Sequence, residues 1–149
     1  MRLLNSVPDL AQEDLDLLEK RIGMPLPDQY IAFLKLNNGG SPAEDDAIWN
    51  GRSGEESLYL QYFYPVSQTE PNVVSVLGSF PVKLPAGFIP ICLLGGGSYL
   101  LLNGGDGSLH LWDYDSDEIR KIAGDLSEFG IHTTARHGWL ALDPPQSGA

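Results

Sequence analysis

The sequence predicts an α+β fold: one domain in which short helices pack on one side of an antiparallel sheet of about four to six strands. Three observations lead there. Helical periodicity fills roughly the first forty residues, and strand-like runs separated by glycine turns fill the second half. Gly (17) and Pro (11) together make up nearly a fifth of the 149 residues, too many turns for a helical bundle. Helices first, then antiparallel strands, then a last helix is an α+β order. No internal repeat or linker divides the chain, so residues 1–143 read as a single domain and 144–149 as a frayed tail.

The first helix is expected from Pro8 to Ile22. Proline suits a first helical turn, and Asp9, Glu13 and Asp14 suit the positive end of the helix dipole. Leu15, Leu18 and Ile22 recur at the helical period, with Leu10, Ala11 and Leu17 widening the stripe. Lys20 and Arg21 complement the negative end, and Gly23 supplies a left-handed stop. Met24-Pro25-Leu26-Pro27 is a rigid elbow into a second helix carrying Tyr30, Ile31, Phe33 and Leu34, which Asn37-Asn38-Gly39-Gly40 ends. Ser41 to Ser57 is acidic and turn-rich. Leu58 to Tyr64 reads as a strand and Pro71 to Gly78 as a short helix. Strands follow at Ile89–Leu93, Tyr99–Asn103 and Leu109–Asp113, separated at hairpin spacing by Gly95-Gly96-Gly97 and Gly104-Gly105-Asp106-Gly107. Glu118 to Ile122 is a candidate fourth strand of this group, and Asp125 caps a last helix opening at Leu126.

The formal charge of −11, from 20 acidic and 9 basic side chains, disfavours phosphate backbones and anionic membrane surfaces as partners. It leaves two readings: solubility alone, or attraction to a basic protein. A single cysteine, Cys92, cannot close an internal disulfide, which points to a reducing, cytoplasmic setting; it sits in an apolar run as a small hydrophobe. The opening residues lack the apolar core of a signal peptide. Residues 84–105 carry no charge, yet Pro85, Pro90 and several glycines break them into strand-length pieces, so no membrane span is expected.

Motifs for chemistry fail one by one. Gly95-Gly96-Gly97-Ser98-Tyr99-Leu100 has Leu100 where a dinucleotide fingerprint needs its third glycine, and it leads into a strand. Asp113-Tyr114-Asp115-Ser116-Asp117 imitates the start of a calcium loop, but Glu118 and Gly124 stand where glycine and glutamate are required. His110, His132 and His137 have no metal-ligand spacing, and Ser98 lacks the second glycine of a nucleophile elbow. No pair among twenty carboxylates is singled out for glycosidase chemistry. No catalytic residue, cofactor or metal is therefore expected. What remains is a surface. Trp49 lies between the acidic clusters Glu44-Asp45-Asp46 and Glu55-Glu56, and Trp112 precedes Asp113 and Asp115. An aromatic anchor ringed by one sign of charge suits recognition of a basic partner. The alternative for each tryptophan is a place in the core.

In order and spacing, the chain resembles the SUKH superfamily, the SMI/KNR group of fungal cell-wall regulators and bacterial immunity proteins. The resemblance runs through Leu18-Glu19-Lys20-Arg21-Ile22-Gly23-Met24-Pro25-Leu26-Pro27-Asp28-Gln29-Tyr30, then Phe33-Leu34 and Asn37-Asn38-Gly39-Gly40. It continues at Phe88-Ile89-Pro90-Ile91, at Gly107 to Asp115, and at Asp125-Leu126-Ser127-Glu128-Phe129. The turn after Ile91 departs from the family pattern in having Leu94-Gly95-Gly96-Gly97-Ser98 without an acidic or amide residue, and segment 41–80 matches nothing familiar. The resemblance implies a non-enzymatic bacterial immunity protein, monomer or weak dimer, that binds and neutralises a toxin domain. The charge suggests a basic one of nuclease type, met by Glu44, Asp45, Asp46, Trp49, Glu55, Glu56, Asp113 and Asp115. The alternative is a regulatory protein-interaction scaffold with no toxin partner.

Overall fold

Among the described residues, six antiparallel strands, each paired with the next in the chain, form the main sheet. A computed structural model describes residues 3–51 and 57–131, without the side chain of Asp45. The pair Glu55-Glu56 and the tail 144–149 lie outside the described residues. The chain opens with β1 (Leu3–Leu4), then α1 (Gln12–Ile22), α2 (Asp28–Leu36) and β2 (Ser41–Pro42). A single 3-10 turn at Glu44–Asp46 leads into β3 (Ile48–Asn50) and β4 (Ser57–Phe63). After α3 (Val73–Gly78) come β5 (Phe88–Leu94), β6 (Tyr99–Asn103), β7 (Leu109–Trp112), β8 (Ile119–Ala123) and α4 (Leu126–Phe129). Strands β3 to β8 make the meander, and β1 pairs with β2 in a small separate sheet. The α+β expectation holds.

Alternation along the strands sorts side chains onto two faces. Leu58, Leu60, Phe63, Leu100, Leu102, Leu109 and Leu111 share one buried cluster with Leu15 and Leu18 of α1, Tyr30, Phe33 and Leu34 of α2, and Leu126 and Phe129 of α4. The Phe33 and Phe63 rings meet at 5.5 Å, seating α2 on β4. The register Leu93–Tyr99–Trp112–Ile119 runs across the other, outer face.

Helix α1 begins at Gln12 rather than Pro8. Asn5 and Asp9 have positive φ (63° and 58°), and residues 6 and 7 are claimed by the end of α2. There the Ser6 hydroxyl donates to the Gly39 carbonyl at 2.6 Å, and the Val7 N–H donates to the Asn38 carbonyl at 3.0 Å. The stop is as expected: Gly23 sits at φ 78° and its N–H reaches the Glu19 carbonyl at 2.9 Å. The Glu19 carboxylate also accepts from the Leu26 N–H at 2.7 Å, fixing the elbow into α2.

The segment ending α2 is a clamp. Buried Asn38 meets Val66 with both ends of its amide: Nδ2 donates to the Val66 carbonyl at 3.0 Å, and Oδ1 accepts the Val66 N–H at 2.8 Å. Gly40 exchanges two 2.8 Å backbone hydrogen bonds with Phe63. A Cβ on Gly39 would fall within 2.9 Å of three Pro65 atoms, so only glycine lets the two segments close. Replacing Asn38 by Ala leaves a buried N–H and C=O of Val66 without partners. We expect a loss of about 3 kcal/mol in urea unfolding. Asn38→Asp should do no better, because it keeps the acceptor while turning an oxygen toward the Val66 carbonyl.

Candidate functional site

The acidic and aromatic residues singled out in the sequence occupy different surroundings. Glu44 and Asp46 lie on the 3-10 turn ahead of β3, Glu44 exposed and Asp46 half-buried. Asp113 and Asp115 lie in the turn joining β7 to β8, Asp113 half-buried and Asp115 exposed. The two clusters enter the sheet at strands four apart in its order. The β7–β8 turn is held from within: Asp113 Oδ1 accepts the Asp115 N–H at 2.9 Å, and the Asp113 N–H donates to the Glu118 carbonyl at 2.9 Å. Asp117 adopts φ 57°. Among the described residues no group of three His, Cys, Asp or Glu side chains could hold a metal ion.

Neither tryptophan projects from the surface. Trp49 is 9% exposed, stacks on Phe129 with ring centres 4.5 Å apart and planes 9° from parallel, and donates Nε1–H to the Phe129 carbonyl at 2.5 Å. It ties edge strand β3 to α4. Trp112, 3% exposed, follows the core alternative but on the outer face: Phe80 packs edge-on at 5.2 Å, and Nε1–H donates to Asp117 Oδ1 at 2.7 Å. Phe80 comes from the α3–β5 connection and also covers Tyr99 at 4.8 Å. Tyr64 lies 6.4 Å from Tyr99, extending the row. The sequence does not announce this aromatic row, because Phe80 belongs to a segment with no strand or helix period and Tyr64 lies just past the end of β4. The available signal was the density of aromatics between residues 59 and 64, with Tyr99, Trp112 and Tyr114 at matching turn ends.

Three arrangements invite a catalytic reading. Ser108 Oγ lies 2.8 Å from His110 Nε2 and 2.5 Å from Asp106 Oδ1. Asp106 also accepts the Ser108 N–H at 2.9 Å, and these two bonds from Ser108 hold its carboxyl below the usual range. An ionised carboxylate only accepts, so the one hydroxyl proton goes to Asp106 and His110 Nε2–H donates to Ser108 Oγ. That is the reverse of a nucleophile relay, in which imidazole takes the serine proton. The trio braces the β6–β7 turn. Cys92 is buried, and burial pushes its thiol up, away from the thiolate that chemistry needs. Finally, a cleft of about 370 Å³ between α1 and the 66–78 segment is lined by Asp14 and Glu70, but Gln68 Nε2 donates to Asp14 Oδ1 at 2.6 Å. Asp14 thus fastens the loop to α1.

Among the described residues this is a small α+β domain in which Asp14, Asn38, Ser108 and Asp117 brace loops and turns. The chain belongs to the SMI1/KNR4 family (SUKH-1), whose sequence profile matches residues 9–130. It is similar to the SPbeta prophage-derived protein YokK of Bacillus subtilis (strain 168), at 26% identity over 140 residues covering 80% of this chain and 72% of that one. Proteins of this family generally bind protein partners and are generally non-enzymatic immunity proteins. Among the described residues, no helix is long and apolar enough to cross a membrane.

Two outcomes follow from these placements. Trp49→Ala should cost about 4 kcal/mol in urea unfolding, and Trp49→Phe about 1–2 kcal/mol because the stack survives while the hydrogen bond is lost. Burial holds the His110 ring below its ordinary value of 6.5, with Asp106 opposing. Between that lowered value and about 6.5 the unfolded chain binds the extra proton, so this residue's contribution to stability falls as pH drops through the window. Comparing urea midpoints at about pH 7.5 and pH 5, His110→Gln should show a smaller decline than the native chain.

Proposed function

We propose that this protein is an immunity protein that acts without catalysis, in the cytoplasm, by binding a basic toxin domain and blocking it. The match to the SMI1/KNR4 family over residues 9–130 carries the proposal. The net charge of −11 supports the choice of a basic partner, a nuclease-type toxin being the kind whose positive cleft suits it. The brace at Ser108 and the tethered Asp14 support action by binding, because both use their polar groups internally.

The contacts we assign are Glu44, Asp45, Asp46, Glu55, Glu56, Asp113 and Asp115, with Trp49 acting from behind. Its ring holds β3, and so the neighbouring acidic turn, in place. Charges of this kind steer the encounter and set the on-rate more than the final affinity.

The test begins at the gene: a toxin domain encoded immediately upstream favours immunity, its absence favours regulation, and a toxin domain found there is co-expressed with this chain. Growth should be rescued, and the purified pair should associate with a rate that falls steeply with salt. Reversing Glu55 and Glu56 to Lys should slow association about tenfold and flatten its salt dependence. An unchanged on-rate would remove the electrostatic argument, and failure of the native chain to rescue would favour a regulatory scaffold instead.

A further inference from the structure

The glycine run 95–97 is unusual in what flanks it. It forms the turn between β5 and β6, with Gly96 and Gly97 at φ 80° and 86°. A Cβ placed on Gly96 would meet nothing within 4 Å, so the backbone there is bare. On one side, a Cβ on Gly95 would lie 3.2 Å from the Tyr59 side chain; on the other, a Cβ on Gly97 would lie 3.6 Å from the Tyr114 ring. The two tyrosines therefore bracket a saddle of uncovered main chain.

Both rings are exposed, Tyr59 at 51% and Tyr114 at 61%, and the Tyr59 cross-strand partner Ile48 is 52% exposed. These are three of the five large apolar side chains found exposed among the described residues; Ile48 and Tyr59 are cross-strand neighbours, and the glycine turn runs from Tyr59 to Tyr114. Contiguous exposed apolar surface marks interaction sites more often than scattered residues do. The rings are also positioned. Trp112 meets Tyr114 edge-on at 6.2 Å, and the Tyr114 N–H donates to Ser98 Oγ at 3.0 Å. Beyond Tyr114 the same turn carries Asp113, Asp115, Asp117 and Glu118.

We propose that this saddle, with Ile48, Tyr59 and Tyr114 as its rims, is where the chain docks an arginine- or lysine-bearing loop of a basic protein. The proposal rests on the reading of this chain as a binder of a basic partner and locates the contact. Charge complementarity selects the occupant: a cation over a tyrosine face gains from the ring quadrupole, and the adjoining carboxylates receive what extends past it. Bare glycine backbone lets the partner approach closely, and tyrosine spends little conformational entropy as a contact residue.

The test uses the full chain, isotopically labelled, titrated with a dodecapeptide of alternating Arg and Leu and with its Glu/Leu counterpart. Backbone amide shifts should concentrate on residues 95–98, 59 and 114 with the Arg peptide and be absent with the Glu peptide. The Tyr59→Ala/Tyr114→Ala double variant should bind at least tenfold more weakly. Gly96→Asn, which fills the saddle with a residue that tolerates positive φ, should weaken binding at least fivefold without lowering the melting temperature. Shifts centred elsewhere, such as on α1, or variant affinities within twofold of the native chain, would overturn the assignment. The same variants in the toxin co-expression assay separate this inference from the reading beneath it. Rescue retained by the double variant removes the saddle and leaves immunity standing; absence of rescue by the native chain removes immunity and leaves the peptide map to judge the saddle.

Discussion

The two-ended hydrogen bond between the Asn38 amide and the Val66 main chain is the constraint on which the architecture depends. It fixes the end of α2 against the segment leaving β4, where no regular ladder exists. Gly39 and Gly40 make that approach feasible, and Gly40 then pairs with Phe63. Main-chain carbonyls of the same few residues catch Ser6 and Val7. One short motif thus joins the N-terminal strap, the helical pair and the sheet. The Asn38 amide is satisfied at both ends, whereas Nδ2 of the adjoining Asn37 is buried without a hydrogen-bond partner among the described residues, so the clamp rests on Asn38 and the main chain.

Above the helices, the sheet has a second apolar face, and its treatment explains the surface. Phe80 lies over Tyr99 and Trp112, covering the middle of that face with a connection rather than a helix. The cover stops short of the β5–β6 turn. Tyr59, Ile48 and Tyr114 remain exposed, while Phe80 meets Tyr99 and Trp112. Three of the five large apolar side chains exposed among the described residues thus belong to the six-stranded sheet and its turns, Leu4 and Leu17 lying on β1 and α1.

Much of the fold was legible from sequence because its elements announce themselves locally. Strand β6 matches its reading to the residue, α2, α3, β4, β5, β7 and β8 within one or two, and α4 starts where expected, at Leu126. What was missed has a physical reason. Strands β1, β2 and β3 are two, two and three residues long, too short for any period to register, and they exist through pairing. Pro8 looked like a helix start because proline tolerates that position, yet hydrogen bonds from residues 6 and 7 to the distant Asn38-Gly39 outcompeted it. At Trp49 the core alternative is the one that applies. Its acidic neighbours in sequence suggested exposure, while Phe129, eighty positions later, supplies the ring it stacks on.

On the function proposed, that displacement divides the labour of recognition between two kinds of side chain. A charge of −11 acts at range, and at physiological salt its reach is set by a Debye length of about 8 Å. Such a field gathers basic partners without choosing among them. Discrimination requires shape and desolvation at short range, which buried Trp49 and Trp112 do not offer. Exposed apolar rings can supply it, and in this chain they stand at 59 and 114, beside glycines whose missing side chains leave room. Acidity would then govern how fast a partner arrives, and the tyrosine-bracketed turn which partner stays. A charge reversal and a tyrosine truncation should accordingly separate kinetically, the first in the on-rate and the second in the off-rate.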